Sequence, residues 1–98
     1  MCALTATVAL DSTAANAIKG GGQVVFMYFV SGGSFPPHTY RFDYVVDVTK
    51  RVRRVVSPVA EGYSQGFSWQ VEAVGYDSQA TQLFHVASAL VPIPTPCG

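Results

Sequence analysis

The chain has 98 residues, of which 49% are apolar and 12% charged, with six basic and six acidic side chains and a formal net charge of zero. That length makes a single domain that buries roughly 60–70% of its unfolded surface without help from metals or disulfides. The balanced charge excludes a global attraction to nucleic acid or an anionic membrane. A charged content about half the usual ~25%, in a chain so rich in apolar residues, excludes extended disorder and leaves a surface prone to acquiring partners.

The first strand is expected at residues 4 to 10, where Leu4, Ala6, Val8 and Leu10 alternate with Thr5, Thr7 and Ala9. No basic n-region or apolar run of signal-peptide length accompanies it, and no segment is long enough for a membrane-spanning helix. The expectation is therefore a domain of a larger secreted protein or a small protein that needs no secretion signal. Residues 14 to 19 fit one helical turn capped by Ser12 or Thr13, or equally a loop, before Gly20-Gly21-Gly22. The glycines lack the Lys-Ser/Thr and the following helix of a phosphate-binding loop.

A second strand, Gln23 to Val30, is apolar on both faces, as befits a central strand. If Met27 and Phe29 lie on its outer face they form a contact patch, the alternative being that a loop covers them. Phe35, in the long connection that follows, either plugs the core or serves as a contact residue. From Tyr40 to Val48 the pattern alternates again, with Tyr40, Phe42, Tyr44, Val46 and Val48 on one face and Arg41, Asp43 and Asp47 on the other. Thr49-Lys50 is the expected reversal into residues 51 to 57, where broken alternation at Arg53-Arg54 and the presence of Pro58 suggest a bulge or an edge strand.

The stretch from Gly66 to Val91 is expected to be a hairpin. Phe67, Trp69, Val71 and Ala73 line its buried face, Gly75, Asp77 and Ser78 supply the turn, and Phe84 and Val86 continue the second strand. Residues 92–98, with prolines at 92, 94 and 96, are expected to be an extended tail reaching about 20 Å beyond a domain of residues 1–91.

Six or seven short strands without a convincing helix argue for an all-β antiparallel sandwich. Gly66-Phe67-Ser68-Trp69-Gln70-Val71, Tyr40-Arg41-Phe42-Asp43 and the turn Tyr76-Asp77-Ser78 resemble the immunoglobulin-like modules of bacterial and phage surface proteins, in particular the polycystic-kidney-disease type. Two features depart from that family. The Gly-Asp-Gly after the middle strand is absent, and the spacing from Phe67 to Asp77 is two residues longer than usual. The resemblance implies an immunoglobulin-like fold and names no ligand.

Chemistry-bearing residues are sparse. His38 and His85 have no nucleophile motif beside them, and with Cys2 and Cys97 they lack the short spacings of a zinc site. Asp43, Asp47, Glu72 and Asp77 are scattered, as solvated carboxylates are, rather than grouped as calcium ligands. No catalytic residue, cofactor or metal is expected.

Lys50, Arg51, Arg53 and Arg54 place four of the six cations within five positions, as an anion-docking edge or as protection of an edge strand against aggregation. Without interleaved aromatics they do not suggest nucleic-acid binding. Cys2 and Cys97 flank the first and last strands, as free thiols or as cross-links between copies. Trp69 with Tyr63 is a possible sugar platform, although alternation puts Trp69 in the core.

The resulting expectation is a non-enzymatic structural or interaction module on the surface of a larger assembly, a virion decoration or tail accessory protein. The alternative is a carbohydrate- or protein-binding module of a secreted multidomain protein. Expected partners are other protein subunits, further copies of the chain and, for the alternative, a glycan, with no nucleic acid and no membrane insertion.

Overall fold

The computed structural model describes residues 3–32, 38–61, 67–87 and 91–92, with side chains undescribed at 3–4, 38, 60–61, 67 and 91–92. Phe35, Cys2 and Cys97 lie outside the described residues, as do Tyr63 and the tail beyond Pro92. Among the described residues nine strand segments and one helix follow in order: β1 (Ala3–Leu4), β2 (Thr7–Ala9), α1 (Ser12–Ile18), β3 (Gly22–Gly32), β4 (His38–Val48), β5 (Arg54–Val56), β6 (Ala60–Glu61), β7 (Phe67–Asp77), β8 (Gln82–Ala87) and β9 (Val91–Pro92). All pairings are antiparallel. Main-sheet order is β4-β3-β7-β8, with β9 continuing along the β7 edge that β8 occupies. A second layer is a narrow ribbon in which β1 and β2 face β6 and β5.

β3 is central because its two faces are both apolar, and all eleven of its residues pair on each side, with β4 and with β7. Its inner face carries Val24, Phe26, Tyr28 and Val30, each at most 1% exposed. Val8 of β2, Leu10 just after it, Val55 of β5 and Ala14, Ala15 and Ile18 of α1 cover that face. Burying a side chain of the Val or Phe class contributes about 1.5–3 kcal/mol, so this row dominates the apolar stabilisation.

The loop alternative for residues 14 to 19 gives way to helix for a tertiary reason. Seven residues do not sustain a helix in water, but Ala14, Ala15 and Ile18 form one buried face. The cap is Asp11, not Ser12 or Thr13: its carboxylate accepts the Ala14 N–H at 2.8 Å.

Residues 49–53 are a crossover between layers rather than a hairpin turn, since β4 pairs with β3 and β5 pairs with β2. Val52 is the apolar residue that ties this crossover to the core. Leu10 N–H donates to the Arg53 carbonyl at 2.8 Å, fixing where β5 begins. The bulge falls later than the broken alternation suggests. Thr7 faces Val56 whereas Leu4 faces Ala60, so the β5–β6 side holds one extra residue, and Pro58 sits within that irregularity.

At the same irregularity the two layers are joined by hydrogen bonds. Ser57 N–H donates to the Ala6 carbonyl at 2.8 Å, and Ser57 Oγ accepts from Ala6 N–H at 2.9 Å. Ser57 Oγ also bonds to the hydroxyl of Tyr28, which is fully buried in β3. Burial pushes the Tyr28 hydroxyl above its ordinary pKa, against a smaller opposing effect of the Ser57 bond. Because the folded state then holds this proton more tightly than the unfolded chain, stability is full below the unfolded tyrosine pKa and declines as pH rises above about 10. Urea midpoints measured from neutral pH upward should show that decline, and Tyr28→Phe should remove this residue's share of it.

The β7–β8 hairpin is built by Asp77. Its Oδ1 accepts the N–H groups of Gln79 and Thr81, both at 2.9 Å, as an Asx-type turn. Ala80 takes a left-handed φ of 63°. That conformation costs an alanine about 1–2 kcal/mol, partly offset in a glycine by chain entropy. Ala80→Gly should therefore raise stability by up to about 1 kcal/mol in a denaturant titration.

Candidate functional site

Among the described residues the ribbon covers one face of the main sheet and no strand or helix lies over the other, on which Val74 is nonetheless only 6% exposed. Alternation brings to that outer face Gln23, Val25, Met27, Phe29 and Ser31 from β3, and Thr39, Arg41, Asp43, Val45 and Asp47 from β4. β7 adds Ser68, Gln70, Glu72, Val74 and Tyr76, and β8 adds His85 and Ala87.

Met27 and Phe29 thus lie on the outer face, and each is half-buried by neighbours within the sheet. Arg41 spans both. Its guanidinium carbon is 5.7 Å from the Phe29 ring centroid, and Nη2 lies 3.4 Å from Met27 Sδ. Nε and Nη2 also donate to the Asp43 carboxylate at 2.9 and 3.0 Å. Asp43 raises the Arg41 pKa by hydrogen bonding first and by its charge second. On the other side of Met27, His85 Nε2 is 2.7 Å from Glu72 Oε1. Met27 stands between Asp43 and Glu72 in register, and Phe29 between Arg41 and Gln70.

The face therefore carries a short apolar stripe bracketed by charge. Val45, 54% exposed, extends the stripe toward the next row. Such a surface offers apolar contact area with oriented polar groups at its rim, the composition of a protein contact. Without Arg41, Phe29 loses its cationic neighbour and Asp43 its donor. Arg41→Ala should increase binding of a hydrophobic dye such as ANS while leaving the fold unchanged by circular dichroism.

The basic cluster belongs to the crossover and the opposite layer, with Lys50 and Arg54 lining a cleft against the β4 edge beside Asp47, so the candidate residues occupy two surfaces that meet at that edge. Arg51 Nε donates to Asn16 Oδ1 of α1 at 2.9 Å, and Arg53 Nε to the Leu10 carbonyl at 3.1 Å. Those two cations hold the crossover against α1 and the ribbon. Lys50 and Arg54 are exposed, and Arg54 opens β5, an edge strand. Trp69 is 2% exposed and stacks edge-on against Tyr28 with centroids 5.6 Å apart, a core contact that excludes it from a sugar platform.

One feature was not apparent in the sequence. Gly22, Gln23, Asp47, Tyr76, Asp77, Ser78 and Ala80 enclose an open cleft of about 500 Å³ at the turn end of the outer face. Gln23 donates to Asp47 there at 3.2 Å. Alternation puts Asp47, Gln23 and Tyr76 on one face of three strands, but only the pairing register aligns them in one row.

Among the described residues no set of three His, Cys, Asp or Glu side chains is grouped to hold a metal, and no helix is long and apolar enough to cross a membrane. Comparison with known proteins found no matching family model, no matching curated protein and no matching solved structure.

Proposed function

We propose that the chain is a non-enzymatic structural module that presents the open face of its β4-β3-β7-β8 sheet to neighbouring proteins in a larger assembly. The observation that carries this is the stripe of Met27, Phe29 and Val45, rimmed by Arg41, Asp43 and Glu72 on a broad regular sheet. Regular strands hold such side chains in fixed positions, which limits the entropy lost on docking.

An immunoglobulin-like sandwich is the fold we assign within the all-β class. The chain visits ribbon, sheet, sheet, ribbon, sheet, sheet in order, and the sheet order β4-β3-β7-β8 is that of the face to which immunoglobulin-like domains add a strand beside the central pair. The resemblance to surface modules of phage and bacteria directs the proposal to a virion, as a capsid decoration or tail accessory protein. Partners are then protein subunits, including further copies of this chain. Light scattering over a concentration series tests the self-association part: growth in mass with concentration is expected, and a monomer throughout would count against it.

A second function, carbohydrate binding, is favoured by the cleft at Tyr76. An aromatic ring beside Gln23, Asp47 and Ser78 offers a stacking surface with nearby hydrogen-bonding groups. A glycan array on the wild type and on Tyr76→Ala distinguishes the two functions: binding lost in the variant supports the carbohydrate module, and no glycan bound by either protein leaves the assembly module.

A further inference from the structure

Zero net charge conceals a strong separation of charge between the two layers. Lys19, Lys50, Arg51, Arg53 and Arg54 belong to α1's end, the crossover and the ribbon, against Asp11 and Glu61. Asp43, Asp47, Glu72 and Asp77 belong to the sheet's outer face and its turn, against Arg41 alone among Lys and Arg. One layer is thus net basic by three charges and the other net acidic by three, the two meeting along the β4 edge, where Asp47, Lys50 and Arg54 line one cleft.

Each charged layer also carries exposed apolar side chains. Val56 and Val59, each 53% exposed, accompany Arg54 on the ribbon, and Val45 accompanies Asp43 and Asp47 on β4. Val56 points away from the core because Val55, its neighbour in β5, points into it.

We propose that the second copy of this chain is the partner, docked head to tail with the basic ribbon of one molecule on the acidic sheet face of the next. This rests on the assembly function proposed above and specifies its partner and polarity. Lys50 and Arg54 of one copy lie opposite Asp43 and Asp47 of another, with Val56 and Val59 against Val45 and Met27. Charge complementarity selects this pairing, because ribbon-to-ribbon and sheet-to-sheet contacts both bring like charges together. A contact between two different surfaces leaves one of each unsatisfied at the ends, so it propagates into rings or filaments rather than stopping at a twofold dimer.

The experiment uses two double variants of the full chain, Asp43→Lys with Asp47→Lys, and Lys50→Glu with Arg54→Glu. Lys50 and Arg54 are chosen because Arg51 and Arg53 anchor the crossover. Wild type should oligomerise at low ionic strength, with association weakening about tenfold as the Debye length contracts from about 30 Å at 0.01 M salt to about 8 Å at 0.15 M. Each variant alone, carrying like charge on both layers, should be monomeric, and an equimolar mixture should regain oligomers. Regained assembly also shows that both variants are folded.

If both variants oligomerise as wild type does, head-to-tail docking is overturned and assembly through another contact survives. Two monomeric variants that stay monomeric on mixing overturn it as well, with circular dichroism confirming their fold. A wild-type monomer at every concentration in low salt overturns the docking and the self-assembly part of the proposed function together.

Discussion

Replacing Tyr28 by alanine is expected to lower stability by about 3–5 kcal/mol, the range found when a buried aromatic is truncated to a methyl group. Tyr28 is fully buried, stacks edge-on against both Tyr44 and Trp69, and bonds to Ser57. The alanine variant loses all three contacts and leaves Ser57 Oγ without its bond to the opposite layer. Tyr28→Phe keeps the ring and removes only the hydroxyl, so about 1–2 kcal/mol should go. Ser57→Ala should cost about 2–3 kcal/mol, because Tyr28 and the Ala6 N–H both lose a partner. Chemical denaturation of the three variants and of Tyr28→Phe with Ser57→Ala measures the coupling. A double variant no less stable than Ser57→Ala alone shows that the hydroxyl stabilises through Ser57, whereas full additivity would mean that the two side chains act independently.

Gly22→Ala is the second large effect. A Cβ on Gly22 would run into the Tyr76 carbonyl oxygen, would come within 2.8 Å of Ile18 Cγ1, and would lie 3.2 Å from Asp77 Cα. Two of these atoms are backbone of β7, so no rotamer change relieves the contact, and β3 must separate from the strand it pairs with. Overpacking typically costs 1–3 kcal/mol, and a collision with paired backbone places this variant at about 3 kcal/mol or beyond. Gly20→Ala is the control, since its Cβ would meet nothing within 4 Å. Thermal unfolding should show a large loss for the first and little change or a small gain for the second, because the added methyl group narrows the unfolded ensemble, and equal changes would show that crowding does not explain the glycine at 22.

These two positions also show what the sequence made legible. The apolar run from Val24 to Val30 was enough to identify the central strand, because a strand covered on both faces is apolar throughout, but only the pairing with β4 and β7 turns Met27 and Phe29 outward. The Asp77 turn was legible for a local reason, a side chain that accepts its own downstream N–H groups. Gly22, by contrast, reads only as the last of three glycines until Tyr76 is known to lie across from Gln23.

What local pattern could not supply was the pairing of distant segments. Thr49-Lys50 follows a strand and precedes another, which reads as a hairpin, yet Arg53 meets Leu10 and the chain changes layer. α1 was uncertain because its seven residues depend on a buried face created by the sheet. On the surface, Met27, Phe29 and the basic cluster were each visible in the sequence. Their division between two opposite layers was not, and neither was the cleft beside Tyr76, because both depend on which strands lie side by side.

Hydrogen–deuterium exchange of the wild-type chain, measured in low salt at a dilute and a concentrated condition, tests most directly whether the open sheet face is a docking surface. With concentration, slower exchange is predicted along residues 41–47 of β4 and at residues 54–59 of the ribbon, while the central pairing of β3 with β7 stays protected throughout. Identical exchange at both concentrations, or protection confined to other segments, would contradict the account.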